Sequence, residues 1–173
     1  TWSKNFYNDR KMYIIDSDGS NLKCITNDLD QTPGAPFWSE NSSGVYFNVR
    51  EFGQSNVYYA NLSGQISKVS QGNHMLTMND LVGNNAVATW TNPSNPSDIV
   101  SFSVKKFNKI DRLTDVNNDI FYNVEFGKVE EINYESVDGK IVQGWIVKPP
   151  QFDSKKKYPL VLRIHGGPHS MYN

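Results

Sequence analysis

Four residues, His165-Gly166-Gly167-Pro168, have the types and spacing of a group that could do chemistry. Glycine lacks a Cβ, so its backbone can take positive φ and approach a ligand closely. The N–H groups of two successive glycines can converge on one anionic oxygen. Pro168 then fixes φ and forbids a continued ladder. A turn of this kind holds a negative charge but breaks no bond, so a nucleophile has to be sought elsewhere. The nearest approach to a G-x-S-x-G elbow is Gly53-Gln54-Ser55-Asn56-Val57, where valine stands in place of the second glycine. Its setting reads as a hairpin loop, so no nucleophile is assigned.

Metal and redox chemistry find no support either. Asp16-Ser17-Asp18-Gly19 suggests a calcium loop, but Asn21 stands where such a loop needs glycine and Asn27 where it needs glutamate. A hairpin turn explains these residues better. No CxxC, HExxH or clustered His/Asp set is present, so neither a metal nor a cofactor is expected. Cys24, the single cysteine, excludes an intrachain disulfide and reads as a small buried apolar residue of a strand at Leu22–Thr26. His74 reads as a surface or satisfied loop histidine.

The element that delivers the glycine turn is the run Pro159–Ile164, whose near-continuous apolar character predicts a strand buried on both sides, as in an α/β sheet. Ahead of it, Ile132–Val137 and Lys140–Val147 flank Asp138-Gly139 and predict a hairpin. Pro149-Pro150 closes the second strand, because proline cannot donate to a ladder. The lysines of Gln151–Lys157 read as a solvated turn.

Before residue 120 the pattern is different and repeats. Lys11–Thr26, Asn56–Ser70 and Asp98–Thr114 each read as strand, turn and second strand. Their terminal hydroxyl residues fall at 26, 70 and 114, spaced 44 apart, with Ile25, Val69 and Leu113 keeping step. Between them lie Ala35–Val49, with Trp38 expected to be buried, and Met78–Asn92, with Leu81 in the tryptophan slot and Ala86–Thr91 as the strand. Thr1–Asn5 would complete an earlier unit. A strand-borne period in the low forties is the size of one four-stranded propeller blade. The expected fold is therefore mainly β: a partial β-propeller of antiparallel four-stranded blades, followed by the first strands of an α/β-hydrolase domain. The expected domains are 1–120, incomplete C-terminal blades, and 121–173, a linker with a truncated hydrolase start. Fewer blades than the roughly four needed to close a ring lead to the expectation of a fragment of a longer protein.

These residues carry a resemblance. Asp16-Ser17-Asp18-Gly19-Ser20-Asn21 and Pro36-Phe37-Trp38-Ser39…Gly44-Val45-Tyr46-Phe47 are similar to blades of TolB and of the prolyl oligopeptidase family, although Glu40-Asn41 replaces the Pro-Asp expected after Trp-Ser. The ordered set Asp138-Gly139…Gly144-Trp145…Lys148-Pro149…Tyr158-Pro159…His165-Gly166-Gly167-Pro168 resembles the start of that family's catalytic domain. Its acylaminoacyl-peptidase and dipeptidyl-peptidase-like branch is nearest. The resemblance spans essentially the whole chain and implies a serine peptidase of short peptides, with the propeller restricting bulky substrates. It also implies that the Gly167 N–H is an oxyanion-hole donor, with Gly166 and His165 supporting the turn. The family's Ser, Asp and His follow this turn in chain order, so none of the triad is expected in these 173 residues, and His74, His165 and His169 are not its base. The 173 residues alone are expected to be inactive.

The implied partner is a peptide substrate. A net charge of −1 and a pI near 6.3 argue against a nucleic-acid or anionic-membrane surface. No apolar run approaches the roughly 20 residues of a membrane span. An open propeller edge makes a homo-oligomer conceivable. Thr1–Lys11 has no signal-peptide core, and the expected location is cytoplasmic. The alternatives are a non-catalytic TolB-like binding module and an esterase of the same hydrolase fold. The esterase explains the glycine turn but not the repeats.

Overall fold

The computed structural model describes residues 10–166 and Tyr172 of the chain. It is mainly β, and the only helix among the described residues is the four-residue α1 (Asn118–Phe121). Two compact units divide it, one up to Asp115 and one from Val116.

The first unit opens with a short hairpin, β1 (Tyr13–Ile14) and β2 (Lys23–Cys24). Two four-stranded antiparallel meanders follow. One is β3 (Phe37–Trp38), β4 (Gly44–Glu51), β5 (Gln54–Asn61) and β6 (Ile66–Lys68). The other is β7 (Met75–Val82), β8 (Asn85–Asn92), β9 (Asn95–Ser103) and β10 (Asp111–Arg112). They meet at a single parallel pair, Ser55 opposite Met75.

Alternation of side chains decides which apolar residues meet. On β4, Val45, Phe47 and Val49 share one face with Ala60 of β5, and there they bury Ile25 and Leu29 from the hairpin side. Tyr46 and Val57 point the other way and join Leu76, Met78, Ala86, Ala88, Val100 and Phe102 between the meanders. One sheet thus serves two cores. Asn48 ties the second joint: its Nδ2 donates to the Leu76 carbonyl at 2.6 Å and its Oδ1 accepts the Met78 N–H at 2.8 Å. Asn79, the extra residue where the β7–β8 register shifts, lies just beyond that clamp.

The 44-residue spacing has a physical cause. Thr26 Oγ1 accepts the Met12 N–H at 2.7 Å, Ser70 Oγ the Val57 N–H at 2.8 Å, and Thr114 Oγ1 the Ile99 N–H at 2.9 Å. The carbonyls of those same residues accept the N–H groups of Ile25, Val69 and Leu113. Where the outer strand leaves the sheet, its hydroxyl stands in for the departing backbone acceptor. Ser70 and Thr114 also donate, to Asn56 Oδ1 at 3.0 Å and Asp98 Oδ1 at 2.7 Å. In the first repeat the matching residue is Lys11, which cannot accept.

One turn recurs in both units. Asn61 N–H donates to the Gln65 carbonyl and Gly64 N–H to the Asn61 carbonyl, with Gly64 at φ +95°. The same two bonds link Ser136, Gly139 and Lys140, with Gly139 at φ +78°. These are three-residue loops closed by a left-handed glycine, a geometry that a side chain at that position would strain.

Four expectations are corrected. Trp38 is 56% exposed: opposite Val45, it lies on the face that Ile25 and Leu29 cover, but beyond their reach, and it lines an open cleft with Tyr13, Ile14, Lys23 and Leu62. Cys24 is half-buried rather than buried, at the edge of a two-residue strand. The Asp138-Gly139 hairpin has a three-residue loop, so its strands are β11 (Val129–Glu135) and β12 (Ile141–Val147), and Val137 is fully exposed. Pro159–Ile164 forms no ladder with the described residues, and Leu160, Val161, Leu162 and Ile164 are largely exposed. A strand exists only where a neighbour accepts its backbone bonds, and among the described residues β11 and β12 pair with each other alone. Thr1–Asn5 lies outside the described residues.

The hydroxyl closure predicts a specific loss. Ser70→Ala leaves the buried Val57 N–H without its acceptor, and equilibrium denaturation should show a destabilisation of about 1–3 kcal/mol. Ser70→Thr, which keeps the oxygen, should lie closer to the unsubstituted chain.

Candidate functional site

The second unit builds toward the glycine turn from the β11–β12 hairpin. Beyond the hairpin's open end, the Lys148 N–H donates to the Lys128 carbonyl at 2.9 Å and extends the ladder by one step. Gly127 is required there, because a Cβ on it would lie 2.0 Å from the Lys148 carbonyl oxygen. Glu130 then sits between two cations, with Lys128 Nζ at 2.8 Å and Lys148 Nζ at 2.5 Å. Hydrogen bonds from Lys128 and then Lys148 hold its carboxyl well below the usual range, at about 2.

Lys148 also lies over the Phe152 ring, 5.1 Å from its centroid, and Phe152 packs against Tyr158 at 5.0 Å. The Tyr158 hydroxyl accepts the Asp153 N–H at 2.9 Å, and Asp153 Oδ1 accepts the Lys155 N–H at 2.9 Å. The lysine-rich stretch is thus a turn folded on an aromatic pair, with Lys155, Lys156 and Lys157 exposed. From Tyr158 to Gly166 the chain has no regular secondary structure.

Arg163 and His165, two apart in the chain, both lie against Tyr172. The guanidinium is 4.9 Å from the ring centroid, and the imidazole meets the ring edge-on at 5.7 Å and 90°. His165 Nδ1 lies 2.9 Å from the Gly166 carbonyl oxygen. A Cβ added to Gly166 would meet nothing within 4 Å, and its φ is outside the left-handed region. The Gly167 N–H, Pro168 and His169 fall outside the described residues. The structure therefore describes the chain up to Gly166.

The other candidates separate cleanly. Asp16 and Asp18 are used within their own turn: Asp18 Oδ1 accepts from the Ser20 N–H and hydroxyl, and Asp16 Oδ2 accepts from Asn21 Nδ2. Among the described residues no group of three His, Cys, Asp or Glu is arranged to hold a metal. Ser55 is buried at the joint between the meanders, where its hydroxyl donates to the Leu76 carbonyl at 2.8 Å. His74 is neither of the two loop residues expected, surface or satisfied. It is half-buried in a cleft with Trp90 and Arg112, and Nε2 is enclosed. The only signal for this in the sequence was the apolar Met75-Leu76 directly after it.

No protein-family model matches the chain. Among curated proteins it is 29% identical over 178 residues to the uncharacterized peptidase YuxL of Bacillus subtilis, covering 94% of this chain and 27% of that protein. It is 27% identical over 174 residues to dipeptidyl-peptidase 5 of Porphyromonas gingivalis, covering 93% of this chain and 24% of that protein. The chain is a relative of prolyl oligopeptidase-family peptidases. It spans about a quarter of the length of these prolyl oligopeptidase-family relatives. The fold agrees. An acylaminoacyl peptidase solved in complex with Z-Gly-Gly-Phe-chloromethyl ketone superposes with a TM-score of 0.76 at 23% identity, over 95% of this chain and 25% of that one. The Pyrococcus horikoshii acylaminoacyl peptidase superposes with a TM-score of 0.74 at 24% identity, over 95% of this chain and 24% of that one.

The cation pair around Glu130 gives a measurable expectation. Its side-chain carboxyl, followed by NMR, should titrate near 2, and Lys148→Met should move the midpoint up toward 4.5. Because the folded value is the lower one, the contribution to stability is present above the unfolded value and disappears as pH falls through about 2.

Proposed function

We propose that these residues are part of a serine peptidase of the prolyl oligopeptidase type that hydrolyses short peptides. The observation that carries this reading is order: four-stranded meanders, then the Asp138-Gly139 hairpin, then His165-Gly166-Gly167-Pro168, in a chain aligned over 93–94% of its length with peptidases. In this reading the meanders are blades that restrict access to the active centre. The Gly167 N–H is one of two donors to the oxyanion, and Gly166 and His165 support the turn that aims it. The Ser-Asp-His triad is supplied by residues of the same polypeptide outside these 173.

The chemistry follows from those roles. The serine oxygen attacks the scissile carbonyl while the histidine takes the hydroxyl proton. The carbonyl oxygen becomes an oxyanion, and preorganised N–H donors lower this barrier by roughly 3–4 kcal/mol. Collapse breaks the C–N bond, the histidine returns the proton to the leaving amine, and water hydrolyses the acyl-enzyme by the same route. Glycine at 167 suits this role, since no Cβ stands between its N–H and the substrate.

Three measurements test the proposal. The coding sequence after Asn173 should hold a G-x-S-x-G within roughly a hundred residues, between a strand and a helix; an in-frame stop there would favour a non-catalytic binding module instead. A fluorophosphonate should label one serine of the full-length protein and none in the isolated 173 residues; specific labelling of the isolated chain would overturn the reading. In the full-length protein, Gly167→Pro removes the donor N–H. It should lower kcat by roughly 10²–10³ with a smaller effect on KM, provided the melting temperature shows an intact fold.

A further inference from the structure

The linker between the two meanders carries a half-buried histidine that the peptidase reading does not use. Residues 71–74 are tacked to the start of β5 by three bonds. Asn56 Nδ2 donates to the Gly72 carbonyl at 3.3 Å, Gln54 Nε2 to Asn73 Oδ1 at 2.9 Å, and the Ser55 N–H to the His74 carbonyl at 2.9 Å. The last bond sits beside the only pair, Ser55 and Met75, that makes the two meanders one sheet. The His74 ring folds back over Gly72 so tightly that a Cβ there would lie 2.5 Å from its Cε1. It enters a cleft lined by Gln71, Trp90, Phe107, Ile110 and Arg112, and its Nε2 has no partner among the described residues.

A neutral imidazole tolerates this site, because its bare nitrogen carries only a lone pair. A second proton would create a charged N–H with nothing to accept it. The charged groups that face the ring offer no compensation. Lys68 of β6 is a cation already paired with Glu51 of β4. Arg112 of β10 is a second cation, held by Asp98 of β9 and by Asp115. Trp90 of β8 presents an indole N–H, which cannot accept a hydrogen bond. We propose that His74 makes the joint between the two meanders acid-sensitive: its protonation expels the ring from the cleft and loosens the grip of residues 71–74 on β5. Burial first, and Lys68 second, push this imidazole below its ordinary value, so the folded chain prefers the neutral ring. Since the unfolded chain takes up the proton at the higher value, joint stability is complete above the ordinary histidine range. It falls as pH drops from that range through the lower folded value. This inference stands whether or not the parent is a peptidase.

Amide hydrogen exchange of the full chain tests it, read at Ser55 and residues 75–78 at about pH 5 and about pH 7.5 and corrected for intrinsic rates. The unsubstituted chain should lose protection several-fold at the acid condition, and His74→Gln, neutral at both, should not. Should His74→Gln misfold, His74→Phe replaces it, and NMR titration of the His74 Cε1–H in the unsubstituted chain gives a mutation-free reading. Equal protection at both conditions would overturn the proposal. So would acid loosening that persists without His74, or a titration midpoint at or above the ordinary histidine value.

Discussion

A strand that stops leaves the backbone groups of its neighbour facing nothing, and in a packed sheet such a group costs about as much as a lost hydrogen bond. The first unit meets this constraint just past the ends of β2, β6 and β10. Thr26, Ser70 and Thr114 each bring a side-chain oxygen to the N–H that the backbone abandons. The outer strands β6 and β10 pair with β5 and β9 over only three and two residues, while β4 and β8 pair with them along most of their length and set the registers that build the cores. Asp98 shows how far the device extends. Fully buried, it accepts from Thr114 and from Arg112, so the closure of the second meander is charged as well as hydrogen-bonded.

The same economy of backbone groups explains how the meanders join. A single parallel residue pair could not hold two sheets by itself. The side chains of Asn48 and Ser55 add bonds to β7 at the Leu76 carbonyl and the Met78 N–H. Around them, Tyr46 and Val57 reach across to Leu76, Met78 and Val100. The joint is thus apolar in bulk and polar at a few fixed points. An unpartnered, titratable ring at its rim therefore has leverage over it.

The second unit illustrates the opposite case. Leu160, Val161, Leu162 and Ile164 have the composition of an interior strand and stand in solvent, since no described strand offers them a ladder. A near-continuous apolar run of this kind has the composition of a strand buried on both faces, and it gains that burial only where strands pair with it on either side.

Much of the molecule was legible in the residues. The strand content, the hydroxyl period at 26, 70 and 114, the hairpin at Asp138-Gly139 and the kinship carried by His165-Gly166-Gly167-Pro168 all depend on local patterns of side chains. Such patterns survive in sequence because strand alternation, turn glycines and fixed repeats are short-range. What the tertiary structure alone decided is what each residue meets across the sheets. The hydroxyls proved to be acceptors for donors 13 to 15 residues earlier. Trp38, an apolar residue by type, is exposed because the hairpin's core stops short of it, and the Nε2 of His74 is enclosed where the linker folds its ring over Gly72. Burial is set by which element arrives opposite a residue, and the neighbouring letters in the chain record that only faintly.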